Sequence, residues 1–167
     1  MTLAELNAAE RERFVAALGW IFEDSPWVAE RAWACRPFAS VAALHDAMVT
    51  EVSAADPTEQ LALLHAHPDL GARARMSDAS SGEQAGAGLD SLTPTEFERL
   101  QQLNAAYRTR FGFPFLFAVK GSTKYDVLAA LAARLPAPPD VELAEALRQV
   151  FRIAQFRLQD AIPSPPA

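Results

Sequence analysis

The sequence predicts an all-α fold, a single-domain helical bundle with two long loops. It contains 34 alanines, whereas valine, isoleucine and threonine together number only 19. Alanine has the highest helix propensity, and the β-branched residues favour strands. Helix start signals recur along the chain, and apolar residues repeat at helical spacing. The 167 residues suffice for one hydrophobic core. We therefore expect one domain over residues 1–167, with a flexible tail at residues 162–167.

Helix start signals define the individual elements. Asn7 heads a predicted capping box, Asn-Ala-Ala-Glu. Ser25, Asp56 and Thr93 each precede a proline, the residue that is favoured at the first helical position. The helix after Thr93 is expected to end near Gly112, because glycine commonly terminates helices. Further helices are predicted at residues 41–53, 123–135 and 140–161, and the last of them carries the apolar stripe of an amphipathic helix.

Three segments lack helical signals. Residues 67–81 contain a proline, a glycine and small polar residues, and residues 111–121 contain four phenylalanines interrupted by Gly112 and Pro114. Residues 135–140 form a proline-rich hinge. Loops on a rigid scaffold commonly carry functional residues. We therefore expect the first two segments to be the loops of an active site.

Composition excludes several classes of function. The net charge is −6, and the basic residues are scattered, so a nucleic-acid or membrane-surface role is not expected. No apolar stretch approaches the roughly 20 residues of a membrane-spanning helix. The N-terminus has no apolar segment typical of a secretory signal. The single cysteine, Cys35, excludes an intramolecular disulfide. These features favour a reducing, cytoplasmic location.

His67 is the first candidate for chemistry. It precedes Pro68, which disfavours a helical backbone at the histidine, so His67 should lie at the end of a helix. One interpretation is that His65 and His67 are both partly exposed helix-end residues, which the helix dipole favours. A second is a metal site with His65, Asp69 and His45. A third is the His-Pro-Asp tripeptide of J-domain co-chaperones, although the preceding helix lacks their basic residues. The fourth is a general acid–base histidine.

A second candidate motif lies a few residues further on. Ser80 is a predicted helix cap that Glu83 would complete as a capping box. Alternatively, Glu83 and Gln84 face a cleft, where a carboxylate can set the protonation state of a histidine. The nearby glycines do not match a dinucleotide-binding fingerprint, because no strand precedes them. The phenylalanine-rich segment is either core or a stretch whose backbone N–H groups bind a ligand.

Five sequence pieces, in this order, resemble the OHCU decarboxylase family of urate breakdown, where OHCU is 2-oxo-4-hydroxy-4-carboxy-5-ureidoimidazoline. The resemblance spans about residues 61–160. Gly71, Ser122 and the proline-rich hinge depart from the family pattern. The pieces are His67-Pro68-Asp69-Leu70, Ser80-x-x-Glu83-Gln84, Leu103-Asn104-x-x-Tyr107-x-x-Arg110-Phe111-Gly112-Phe113-Pro114-Phe115, Lys120-Gly121 and Arg157-Leu158.

The resemblance implies an all-α fold, a homodimer and a reaction without cofactor or metal. The implied reaction converts OHCU to (S)-allantoin and CO2, with a functional link to 5-hydroxyisourate hydrolase. It implies that His67 and Glu83 are the catalytic pair. The implied substrate contacts are Pro68, Ser80, Gln84, Phe115, Phe117 and Arg157. The alternatives are a non-catalytic helical interaction module, such as a co-chaperone, and a decarboxylase of another ureido acid.

Overall fold

The computed structural model describes residues 1–72 and 77–163. These residues form nine α-helices and no strand, which confirms the all-α prediction. None of the helices described is both long enough and apolar enough to cross a membrane. Most of the predicted flexible tail, residues 164–167, lies outside the described residues. The helices are α1 (Leu3–Ala8), α2 (Arg11–Leu18), α3 (Trp27–Ala32), α4 (Val41–Ala54), α5 (Pro57–Ala66), α6 (Asp78–Gly86), α7 (Pro94–Phe111), α8 (Lys124–Arg134) and α9 (Pro139–Ala161), with a short 3-10 helix (Trp33–Cys35) after α3.

The chain divides into two compact units. The first consists of Met1–Ala66 and Val150–Ala167, and the second of His67–Gln149. The first unit therefore contains α1 to α5 and the C-terminal part of α9. The second contains α6, α7, α8 and the N-terminal part of α9. That the whole chain forms one domain stays a prediction.

The predicted capping box at Asn7 is wrong. Thr2 and Glu5 instead form the capping box of α1, and α2 begins at Arg11 without a side-chain cap. The Asn7 amide pairs with the backbone of Phe38 in both directions: Nδ2 donates to the carbonyl at 2.9 Å, and Oδ1 accepts from the N–H at 2.8 Å. Because both polar atoms of the Asn7 side chain bind Phe38, 31 residues later in the chain, they are not available to cap a helix.

The helix boundaries predicted from proline are largely confirmed. Asp56 Oδ1 accepts from the backbone N–H of the third residue of α5 at 3.0 Å. Thr93 and Glu96 form the capping box of α7, and Pro94 is its first residue. This helix ends at Gly112, whose φ of 78° lies in the left-handed region that glycine tolerates. α3 begins one residue later than expected, after Pro26.

The first predicted loop is shorter than expected, because α6 begins at Asp78. Ser77 caps this helix, and its Oγ accepts from the N–H of Ser80 at 3.2 Å. The prediction that Ser80 is the cap is therefore wrong by one helical turn. Ser80 instead lies within the first turn of α6, where it is buried. The second segment matches its prediction, since no helix forms between Gly112 and Gly121.

Candidate active site

His67 directly follows α5 and is only 6% exposed. His65, two residues earlier on the helix, is exposed. The interpretation of a partly exposed helix-end residue is therefore correct for His65 and wrong for His67. A buried imidazole needs a hydrogen-bond partner to offset its desolvation. His67 is therefore the better candidate for acid–base chemistry, because the groups that contact a buried imidazole influence its protonation.

Three predicted site residues lie on one face of α6. Ser80, Glu83 and Gln84 have the i, i+3 and i+4 spacing that brings side chains together on a helix. Ser80 and Gln84 are buried, and Glu83 is partly exposed. The Oε1 atom of Gln84 accepts from the backbone N–H of Gly71 at 2.8 Å. α6 is thereby joined to the segment that begins at His67.

Two side chains of α7 hold the same segment. Asn104 Nδ2 donates to the carbonyl of Leu70 at 3.0 Å, and the Arg108 guanidinium pairs with Asp69 at 2.8 Å. Residues 69–72 and this face of α7 line a cavity of about 480 Å³. The Oδ1 atom of Asn104 is buried with no hydrogen-bond partner among the described residues. The walls of this cavity do not include the histidine or the α6 residues of the predicted site.

The ring spacing in the aromatic segment after α7 is that of an extended chain. The rings of Phe115 and Phe117 stack with centroids 6.1 Å apart and planes inclined by 11°. Residues two apart on one side of an extended chain are separated by roughly 6.6 Å, at about 3.3 Å per residue. Phe115 is buried and Phe117 is partly exposed. The two predicted contact residues therefore point their side chains to the same side of the segment.

A buried polar cluster lies against this segment. The Tyr107 hydroxyl donates to Glu142, and Arg134 also donates to Glu142 through Nε at 2.8 Å. The Tyr107 ring meets that of Phe115 edge to face, with centroids 5.3 Å apart. Burial raises the pKa of the Tyr107 phenol far above its ordinary value, and the carboxylate of Glu142 adds to the shift. The phenol therefore stays protonated and donates its hydrogen bond at any physiological pH.

Arg157 lies on α9 in the first unit, where it forms a buried ion pair. Its Nη2 donates to Glu23 at 2.9 Å, and both side chains are 4% exposed. Its Nη1 contacts the carbonyls of Trp20 and Ile21 at 3.3 Å. These contacts fix the orientation of the planar guanidinium. Sequence reasoning missed Glu23, because it lies 134 residues from its partner and belongs to no motif.

The second unit holds seven of the eight predicted site residues, and Arg157 belongs to the first. That Arg157 meets the others at one substrate stays a prediction. Among the described residues, no group of three or more histidines, cysteines or acids is arranged to hold a metal ion. The seven residues of the second unit are His67, Pro68, Ser80, Glu83, Gln84, Phe115 and Phe117.

Fold and site together define a small all-α protein in which side chains of α6 and α7 hold the loop after a buried histidine, and an aromatic segment follows α7. The family model described as OHCU decarboxylase matches residues 7–159. That range includes every predicted site residue. The chain belongs to the OHCU decarboxylase family, as the sequence resemblance predicted.

Individual relatives agree with this assignment. The 2-oxo-4-hydroxy-4-carboxy-5-ureidoimidazoline decarboxylase of Halalkalicoccus jeotgali is 46% identical over 160 residues, which are 96% of this chain and 91% of the relative. The uric acid degradation bifunctional protein PucL of Bacillus subtilis is 47% identical over 161 residues, covering 96% of this chain and 33% of the relative. The crystal structure of (S)-allantoin synthase superposes with a TM-score of 0.78 at 36% identity, covering 97% of this chain and 54% of that one.

Proposed function

We propose that this protein decarboxylates OHCU to (S)-allantoin and CO2 without a cofactor. The observation that carries the proposal is the family match, which spans the whole predicted site. The buried His67 and the ordered face of α6 support it, because both provide groups that can move or direct a proton. The similarity to the solved structure of (S)-allantoin synthase supports the stereochemistry of the product.

The substrate contains its own electron sink, so the chemistry needs no electron-withdrawing cofactor. Its carboxylate is attached to a carbon next to a C=N bond. When the bond to the carboxylate breaks, its electron pair forms a C=C bond, and the imine π pair moves to nitrogen, which takes a proton. The carbon that bears the ureido group then gains a proton, while the 4-hydroxyl loses one and becomes a carbonyl. The protein must orient the carboxylate and protonate one face of the planar intermediate.

His67 and Glu83 carry the proton transfers in this proposal. His67 takes the proton of the 4-hydroxyl or delivers one to carbon, because an imidazole titrates close to neutral pH. Glu83 orients the imidazole and favours its protonated form through its negative charge. His67 is thus the residue whose replacement should remove chemistry rather than stability.

The remaining residues of the second unit bind and orient the substrate. Gln84 uses Oε1 for Gly71, and its Nε2 makes no hydrogen bond among the described residues. It is therefore suited to donate to a carbonyl of the substrate. Ser80 adds a hydroxyl, and Pro68 gives the loop a fixed backbone. The backbone and rings of residues 115–117 provide amide groups on a water-excluding floor.

Arg157 provides the positive charge of the proposed site. A guanidinium binds a carboxylate or a carbonyl edge through paired N–H groups. Glu23 neutralises part of its charge, which lowers the cost of burying it. Because Glu23 holds the orientation of Arg157, the arginine is prepared for a planar ligand before that ligand arrives.

We further propose that the protein works as a cytoplasmic homodimer next to a 5-hydroxyisourate hydrolase. The single cysteine favours a reducing compartment such as the cytoplasm. The stretch of PucL that is 47% identical to this chain makes up 33% of a protein named as bifunctional in uric acid degradation, which supports a link between successive steps. Size-exclusion chromatography with light scattering tests the dimer, and a monomer at assay concentration would contradict it.

The test of the activity follows the loss of freshly generated OHCU, prepared from urate by urate oxidase and 5-hydroxyisourate hydrolase. We expect the wild-type protein to accelerate OHCU loss and CO2 release far above the spontaneous rate. His65→Asn is the matched control for His67→Asn, because His65 is exposed two residues away. The control should retain full activity and His67→Asn should lose most of it. OHCU loss at the spontaneous rate with wild-type protein would favour another ureido acid or a binding role.

A further inference from the structure

Two side chains, the partly exposed Arg134 and the buried Gln149, hold alternate residues of the aromatic segment. Arg134 Nη1 donates to the carbonyl of Leu116 at 2.6 Å. Gln149, which is 8% exposed, accepts from the backbone N–H of Ala118 through Oε1 at 2.9 Å. Both contacts lie within the second unit and come from outside the segment itself. They use one backbone acceptor and one backbone donor of residues 113–119.

The alternating direction of backbone groups along the segment determines which of them can bind a ligand. In an extended chain, successive residues present their backbone groups to opposite sides. Leu116 and Ala118 are two apart, so the groups held by Arg134 and Gln149 lie on one side. The backbone N–H and carbonyl groups of Phe115 and Phe117 then point to the other side, and they make no hydrogen bond among the described residues. Such groups need a partner when water is removed.

The two holding side chains are themselves fixed. Arg134 also donates to the buried carboxylate of Glu142 at 2.8 Å, and its guanidinium lies 4.4 Å from the centre of the Phe115 ring. Gln149 Nε2 donates to Glu145 at 2.7 Å, one turn earlier on α9. The terminal group of each side chain makes two polar contacts. Neither side chain can therefore move away without leaving a buried polar group unpaired.

We propose that Gln149 and Arg134 are positioning residues for the decarboxylation, and this inference rests on the proposed function. They hold one edge of residues 115–118 so that the opposite edge, the backbone of Phe115 and Phe117, meets the amide groups of the substrate ring. A cyclic urea carries adjacent N–H donors and C=O acceptors, which matches the donors and acceptors of an extended backbone. Neither positioning residue touches the reacting carbon.

The test compares the same substitution at two glutamines of α9. In Gln149→Met the N–H of Ala118 loses its acceptor, and the segment is free to shift. Gln155→Met is the matched control, because Gln155 is exposed on the same helix. The rescue variant combines Gln149→Glu with Glu145→Gln, so that the carboxylate at 149 accepts from Ala118 and from the new amide at 145 and no two carboxylates meet. The assay measures kcat and KM with OHCU, the enantiomeric excess of the allantoin formed, and the thermal midpoint.

For Gln149→Met we expect KM to rise and kcat/KM to fall about tenfold, the equivalent of one buried hydrogen bond. We also expect the enantiomeric excess to fall, because a misplaced ring exposes both faces to protonation. Gln155→Met should behave as wild type, and the double exchange of Gln149→Glu with Glu145→Gln should recover most of the loss. A purely structural role of Gln149 would lower the thermal midpoint and leave KM and enantiomeric excess unchanged.

The outcomes separate this inference from the function on which it rests. Wild-type protein that does not accelerate OHCU loss overturns the proposed function, and the positioning role with it. Active wild-type protein with an unchanged KM and product in Gln149→Met overturns the positioning role alone. If Gln149→Met does not fold, Arg134→Lys provides the second test. A lysine keeps the charge beside Glu142 but lacks the planar fork that also reaches Leu116, so KM should rise in the same way.

Discussion

The Tyr107→Phe variant tests the buried cluster that lies behind the aromatic segment. Phenylalanine keeps the ring that packs against Phe115 and removes only the hydroxyl that donates to Glu142. Glu142 keeps its contact with Arg134, so its charge is not left without a partner. A hydrogen bond to a charged group contributes about 1.5–3 kcal/mol. We therefore expect Tyr107→Phe to lower the free energy of unfolding by about 2 kcal/mol near neutral pH, a shift of about 4–8 °C in Tm.

The stabilisation by the Tyr107 hydroxyl should decrease at high pH. The pKa of Tyr107 is raised in the folded protein above its ordinary value of 10.0. Its contribution is therefore fully present below pH 10 and is lost as the pH rises further, because the unfolded chain then releases a proton that the folded protein keeps. The loss is about 1.4 kcal/mol for each pH unit above that value. At about pH 11 the difference between wild type and Tyr107→Phe should shrink from about 2 to roughly 0.6 kcal/mol.

Urea unfolding of both proteins at about pH 8 and about pH 11 measures this difference. All other groups are present in both proteins, so their contributions cancel in the comparison. The m-value should be the same for the two proteins. A difference that stays constant or grows with pH would refute the assignment of Tyr107 as a buried donor to Glu142.

Two further variants test the loop after His67 and the ion pair of the first unit. Gly71 has a φ of +71°, and an added methyl group would lie 2.5 Å from a leucine side chain, so Gly71→Ala should cost about 1–3 kcal/mol. Gly82→Ala, in open space on a helix, should instead stabilise by about 0.5–1 kcal/mol, and equal effects at both glycines would contradict the prediction. Glu23→Ala leaves Arg157 buried without its carboxylate and should cost about 3–5 kcal/mol in urea unfolding. Glu30→Ala is the control, because Glu30 forms an exposed ion pair with Arg11, and it should cost under about 1 kcal/mol. Equal losses of unfolding free energy in Glu23→Ala and Glu30→Ala would contradict the burial of the Arg157–Glu23 pair.

Local signals in the sequence predicted most of the helix boundaries. Thr93 and Gly112 define the two ends of α7 because capping and left-handed termination depend on residues within one turn. Asn7 failed for the opposite reason, since its partner Phe38 is distant in sequence. Ser80 failed because a better-placed serine lies three residues earlier. Local competition between equivalent caps is not resolved by residue type alone.

The site shows the same division between local and distant information. The motif around His67 identified a histidine that proves to be buried, although helix-end chemistry alone favoured exposure. The apolar stripe predicted for α9 did not indicate that three polar residues of this helix are also buried. They are Glu142, Gln149 and Arg157. Each of these polar side chains is buried because of a partner on another element, and amphipathic periodicity cannot identify that partner. One weak signal was available, since the three recur at spacings of seven and eight residues on one helical face.

The proposed function requires that this protein makes one enantiomer of allantoin from OHCU and that His67 is needed for it. The most direct measurement follows the optical activity that develops from fresh OHCU with wild-type protein, with His67→Asn and with buffer alone. We predict rapid formation of (S)-allantoin by wild type, and slow, racemic product with His67→Asn at an unchanged thermal midpoint. Racemic allantoin at the spontaneous rate with wild-type protein would contradict the proposed function. Full stereoselectivity in His67→Asn would contradict the catalytic role of His67.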